Sequence, residues 1–139
     1  AKFDFRQMTE LALGRYQRDF SAEELEQAAG LFKKLLKKIY LDRIVNYQDE
    51  EITFDEESAV TGKKAVVASS VVTARGGIPL EYKLYEKDGA WLVYDVKIEG
   101  VSLVSNYRKQ FRQILINGDA ADLIEKLEQK VERMTNEAQ

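Results

Sequence analysis

Residues 91–115, WLVYDVKIEGVSLVSNYRKQFRQIL, change period midway, and that change decides the fold. From Trp91 onward Leu92, Tyr94, Val96 and Ile98 fall on one side, with Trp91 and Val93 opposite. A period of two belongs to an extended strand, whose side chains point alternately to its two faces. Beyond Glu99-Gly100-Val101 the apolar positions are Leu103, Val104, Tyr107, Phe111, Ile114 and Leu115, spaced for one face of a helix. Ser102 stands just before that run, where its hydroxyl can accept one of the N–H groups that a helix start leaves unpaired. Asn117-Gly118 ends it. The stretch predicts a strand, a tight connection and an amphipathic helix to about Asn117.

Upstream the same extended pattern recurs near residues 51–60, 65–74 and 78–86. Thr61-Gly62, Gly76-Gly77 and Asp88-Gly89 can supply the positive φ of tight hairpins. Connections this short imply a four-stranded antiparallel meander. Ile78, Leu80, Tyr82 and Leu84 form an apolar face, with Glu81 and Lys83 on the other. The stretch 65–74 avoids charge in both alternating sets, which predicts cover on both sides.

Helices flank the meander. Asp4 is placed to cap a first helix to about Tyr16, with Phe5, Met8, Leu11, Ala12 and Tyr16 near one face. Ser21-Ala-Glu-Glu24 reads as a capping box opening a second helix to about Asn46. Its apolar positions are Leu25, Ala28, Ala29, Phe32, Leu35, Leu36, Ile39 and Ile44. Gly30 within it costs about 1 kcal/mol against alanine, tolerable if another backbone packs closely there. Asp119 can cap a last helix through about Met134, with Leu123, Ile124, Leu127 and Val131 as its stripe. Helices, an antiparallel meander and helices again indicate a single α+β domain with helices packed on one side of a curved sheet. A cone of this type resembles the NTF2-like fold, which can enclose an apolar cavity.

Composition narrows the function. The 139 residues are 45% hydrophobic and 32% charged, the balance of a folded domain with a real core. A formal charge of −3 argues against a general nucleic-acid binder. No apolar run approaches the roughly 20 residues that span a bilayer. There is neither cysteine nor histidine, so thiolate and imidazole chemistry, and with them the usual zinc sites, are excluded. The acids Asp49-Glu50-Glu51 and Asp55-Glu56-Glu57 lack the spacing of a calcium loop and read as a solvated strand edge; no metal is expected. Lys33-Lys34 and Lys37-Lys38 suggest a membrane surface, but a solvated helix face is the preferred reading. An enzyme of the NTF2-like class would use an Asp base with Tyr donors; Tyr82, Tyr85, Tyr94 and Asp95 are the residues available. Alternation instead predicts that Asp95 faces solvent or pairs with a lysine such as Lys83.

Leu11-Ala-Leu-Gly-Arg-Tyr16, the run from Phe32 to Tyr40 and Val93-Tyr-Asp-Val-Lys-Ile-Glu-Gly-Val-Ser-Leu-Val-Ser-Asn-Tyr-Arg108 together resemble the toluene-tolerance/MlaC family of periplasmic phospholipid carriers. The likeness extends from about Phe5 to Leu127, with Gln17 a departure where relatives often carry an aromatic. The resemblance implies a lipid-binding domain over residues 1–139, without the family's leading helical segment and signal peptide. It implies a periplasmic location and a phospholipid cargo. It further implies docking to an inner-membrane ABC-type lipid transporter and to an outer-membrane lipoprotein complex, with no cofactor and no enzyme chemistry. Leu36 and Tyr40, with Ile78, Leu80 and Tyr82, are the candidate lipid-binding residues, because their faces could oppose each other across the cone. An Asp/Tyr enzyme and an interaction module that binds no ligand are the alternatives.

Overall fold

Two tight turns organise the sheet. Asp88 and Gly89 both take positive φ (52° and 83°), as do Glu99 and Gly100 (52° and 83°). Two consecutive left-handed residues twist a hairpin in the sense that neighbouring strands require. The first pair joins Lys87 to Ala90 and the second joins Ile98 to Val101.

The computed structural model describes residues 2–41, 59–73 and 76–137. Strand β1 (Lys2–Phe3) leads into helix α1 (Phe5–Leu13), a 3-10 segment (Gly14–Asp19) and helix α2 (Ala22–Leu36), which continues as one π-helical turn (Lys37–Leu41). Then come β2 (Ala59–Thr61), β3 (Lys64–Thr73), β4 (Gly76–Lys87), β5 (Ala90–Ile98) and β6 (Val101–Ser102). Helices α3 (Leu103–Leu115) and α4 (Ala120–Glu137) follow. Strands β2 to β5 are successive antiparallel neighbours, the expected meander. Two short strands add to it: β1 runs parallel to β5, with Phe3 opposite Val93, and β6 pairs with the end of β5. The continuation of the second helix to Ile44 and Asn46, the first strand before Ala59 and both acidic clusters lie outside the described residues.

The caps behave as the sequence predicts. Asp4 accepts from the Gln7 N–H at 3.0 Å, and Ser21 and Glu24 form the reciprocal capping box. Ser102 accepts from the Ser105 N–H, and Asp119 and Asp122 bond each other's backbone N–H. Helix α1 stops at Leu13 rather than Tyr16, because Gly14 enters the left-handed region at φ 57° and the chain tightens into the 3-10 segment.

Four details differ from the sequence reading. Gly76 and Gly77 lie inside the β3–β4 ladder, opposite Thr73 and Val72, rather than in a turn. Among the described residues, beyond its own helix, no heavy atom lies within 4 Å of where a Cβ at Gly30 would stand, so none of their backbone packs against it. In β3 Ala65 and Val67 are buried but Ala68, Ser69 and Ser70 are exposed, so that strand is not covered on both sides. Alanine and serine present little apolar surface, and leaving them in water costs little. In β5 the pairing passes from Val93 opposite Leu84 to Asp95 opposite Lys83, with Tyr94 as the extra residue of a bulge. The bulge reverses the alternation, so Val93 and Val96 are both fully buried while Leu92 and Tyr94 are only half-buried.

The apolar faces meet in one cluster. Leu80, Tyr82 and Leu84 from β4, with Val93 and Val96 from β5, share it with Phe32, Leu35 and Leu36 of α2 and Tyr107 and Phe111 of α3. Phe32 packs edge-on against Tyr107 and Phe111, with centroids at 5.0 and 5.3 Å. Such pairs add about 0.5–1.5 kcal/mol each to simple burial.

Candidate functional site

The five candidate lining residues come from two elements. Leu36 ends α2 and Tyr40 sits in the π-helical turn after it; Ile78, Leu80 and Tyr82 are alternate residues of β4. Leu36, Leu80 and Tyr82 are buried, Tyr40 and Ile78 are half-buried, and all five belong to the same apolar cluster. Register places Leu80 opposite Ile98 and Tyr82 opposite Val96. Tyr82 meets the edge of Phe3 at 6.4 Å, and Tyr40 meets Tyr107 edge-on at 6.4 Å. Burial, and then a hydrogen bond with Tyr40, hold the Tyr107 phenol well above the usual tyrosine range. These two hydroxyls are polar groups at a hydrophobic cluster.

The acid–base candidates are placed differently from the expectation. Asp95 is 5% exposed, contrary to the expectation that it faces solvent or pairs with Lys83. Its Oδ1 accepts from the Val96 N–H at 2.8 Å and the Val104 N–H at 3.1 Å, and its Oδ2 accepts from the Ser102 hydroxyl. The Val104 N–H is one of the free donors at the start of α3, where the helix dipole also favours a negative charge. The carboxylate therefore clamps β5 to α3, with both oxygens occupied. Tyr85 donates to Asp4, and Tyr94 packs against Tyr85 at 5.9 Å. Tyr82 lies on the core side of β4, and burial, then the charge of Asp95, raise the Tyr94 phenol.

The basic run on α2 is only partly a solvated face. Lys33 and Lys34 are exposed, but Lys33 lies over the Phe5 ring at 5.5 Å, and half-buried Lys38 donates to Thr135 Oγ1 at 2.9 Å. A second feature was missed from sequence. Arg15 and Tyr16 from the 3-10 segment and Arg108 and Arg112 from α3 line a surface cleft of about 210 Å³. The i, i+4 spacing of the latter two was visible, but nothing in the sequence links Arg15 to them. Among the described residues no group of three or more acidic side chains could hold a metal, and no helix is long and apolar enough to cross a membrane.

The family described as MlaC protein matches residues 1–129. Toluene tolerance protein ttg2D of Pseudomonas putida is 29% identical over 110 residues, which are 78% of this chain and 51% of that protein. The intermembrane phospholipid transport system binding protein MlaC of Haemophilus influenzae is 27% identical over 122 residues, 84% of this chain and 57% of that one. The chain thus spans a little over half the length of the curated relatives it matches. The solved structure of a phospholipid-binding protein from Ralstonia solanacearum, in complex with a phospholipid, superposes with a TM-score of 0.80 at 25% identity. That match covers 96% of this chain and 75% of the other. With the strand, turn and α3 helix of residues 91–115 in the expected order and the family match extending over nearly all the rest, the chain belongs to the MlaC family.

Proposed function

We propose that this chain binds phospholipid and carries it, with the acyl chains held against the apolar cluster between sheet and helices. The observation that carries the reading is the likeness, over nearly the whole chain, to a protein solved with a phospholipid bound. The family match and the names of the curated relatives support transport as the purpose of binding. The finer reading is a shuttle in the periplasm between an outer-membrane lipoprotein complex and an inner-membrane ABC-type transporter, with lipid as cargo and no reaction performed. Occupation of Asp95 by three donors supports the absence of acid–base chemistry.

The energetics suit a carrier. Each buried CH₂ contributes about 0.8 kcal/mol, so two tails gain on the order of 20 kcal/mol over exposure to water. Against a bilayer the gain nearly vanishes, because hydrocarbon surrounds the tails in both places. A loaded carrier then retains its cargo in water and releases it at a membrane.

Organic extraction of protein made in a Gram-negative host, followed by mass spectrometry, should give about one phospholipid per chain. Folded protein without lipid would overturn the reading. Leu36, Tyr40, Ile78, Leu80 and Tyr82 are the proposed lining. Ile78→Glu should lower bound lipid with the fold kept, because Ile78 is half-buried and a carboxylate there can reach water. Leu80→Glu, two residues along the same stripe, should do the same if its neighbours line a space that water can enter once lipid is gone. Global unfolding by circular dichroism would place Leu80 in sealed core, and unchanged lipid in both variants would remove this stripe from the site.

A further inference from the structure

Arg15, Arg108 and Arg112 meet at one cleft although they come from two elements distant in sequence. Leu13, Gly14 and Tyr16 complete its lining. None of the three guanidinium groups pairs with a carboxylate among the described residues. Arg108 Nε donates to the Leu11 carbonyl at 3.0 Å, which fixes the side chain and leaves its two terminal nitrogens for another acceptor. Arg15 lies 5.2 Å from the centroid of the Tyr16 ring and donates to the Tyr16 hydroxyl at 3.4 Å. The Arg112 side chain makes no hydrogen bond or ion pair among the described residues. Helix α3 carries Arg108, Lys109 and Arg112 and no acidic residue, in a chain whose net charge is −3.

Three exposed guanidinium groups around one concavity give it a positive potential that favours an anion there. The residue type narrows that anion. Lysines outnumber arginines in the chain, yet none lines this cleft. Diffuse attraction to an anionic surface is served equally well by lysine, whereas a planar fork matches a carboxylate or phosphate through paired N–H donors. The shape narrows it again. A membrane surface is broad, and its peripheral binders insert apolar side chains beside their basic ones. Here the apolar lining residue Leu13 is only 2% exposed and the cleft is of side-chain size, while exposed Ile116, one turn beyond Arg112, lies outside the lining. We propose that this cleft docks an acidic segment of a partner protein, which places a carboxylate side chain among the three guanidinium groups. The proposal stands on the cleft itself and does not depend on what the interior holds.

Fluorescence anisotropy with a fluorescein-labelled octaglutamate peptide tests it at low salt. Saturable binding is expected, weakening as salt rises. Arg15→Glu/Arg112→Glu should weaken it on the order of tenfold, while Lys64→Glu/Lys87→Glu, the same charge change on exposed positions of the sheet, should leave it nearly unchanged. Arg112→Lys should lose part of the affinity, because it keeps the charge and gives up the fork. Circular dichroism checks the fold, and Arg112→Gln alone carries the test should the double reversal unfold. Equal binding by wild type and the cleft variant would overturn the proposal, as would equal losses in both double variants. Absence of peptide binding, alongside flotation with phosphatidylglycerol vesicles that the cleft variant abolishes, would assign the arginines to a membrane instead.

Discussion

Asp4 and Asp95 do similar work in different surroundings. Asp4 caps α1, its own N–H donates to the Val93 carbonyl of β5 at 2.9 Å, and its Oδ2 accepts the Tyr85 hydroxyl of β4. Asp95 lies within β5 and holds the start of α3. Each aspartate thus fastens one helix to the sheet. The difference is access to water: Asp4 is half-buried, and Asp95 is 5% exposed. Water can replace a carboxylate lost at the rim, but at Asp95 the donors it serves would be left without a partner. Burial, more than the number of hydrogen bonds, should decide what each is worth.

Asp95→Ala is therefore expected to have the largest effect. It strands the Val96 and Val104 N–H groups and the Ser102 hydroxyl, and each bond to a charged acceptor is worth about 1.5–3 kcal/mol. A net loss of about 3 kcal/mol is expected in urea denaturation. Asp95→Asn should cost only about 1 kcal/mol, because the amide oxygen can still accept from backbone and Ser102 can accept from the amide nitrogen. Two variants within 0.5 kcal/mol of wild type, roughly the effect of an ordinary surface change, would show that the clamp does not hold α3.

The same contrast explains which features could be read from sequence. Alternation in Ile78, Leu80, Tyr82 and Leu84 gave the right face of β4, because that strand pairs regularly from Leu80 to Lys83. It failed in β5, where the Tyr94 bulge adds one residue and reverses the faces. Asp95 was misread for that reason, and because a lone buried carboxylate has no periodic signature. Its partners sit around a turn, up to nine residues away. Strand β1 has two residues, too few to alternate. The five proposed lining residues were recognisable as apolar and inward-facing, and they do share one cluster. Core packing and ligand lining leave the same periodic trace, so the pattern carried burial and the family resemblance carried lipid.

Asp4→Ala sharpens the comparison. It removes the N-cap of α1 and the acceptor for Tyr85, both where water can substitute. The expected cost is about 1 kcal/mol, a third of that at Asp95 although Asp4 also serves two elements. A loss as large as that of Asp95→Ala would mean that burial is not what separates the two residues.

The smallest effect expected is that of Tyr85→Phe, and pH is the way to see it. Burial first, and then the hydrogen bond to Asp4, push the Tyr85 phenol up from 10.0 to about 12. Raising the folded-state value means that the native protein favours the protonated phenol. The corresponding stability is fully present below pH 10 and is lost as pH rises through about 12. At pH 7 the substitution should cost about 0.5–1 kcal/mol, the net worth of one partly exposed hydrogen bond. Between those two pH values the gap between wild type and Tyr85→Phe should close. Tyr94 and Tyr107 are also raised, but they titrate in both proteins and drop out of the difference. In the Asp4→Ala background the gap should be smaller throughout, since the acceptor is gone and only burial and the charge of Glu10 remain. Thermal melts of the four proteins across that pH range would measure it. A gap independent of pH would mean that the phenol does not feel Asp4, and the rim contact would reduce to a helix cap.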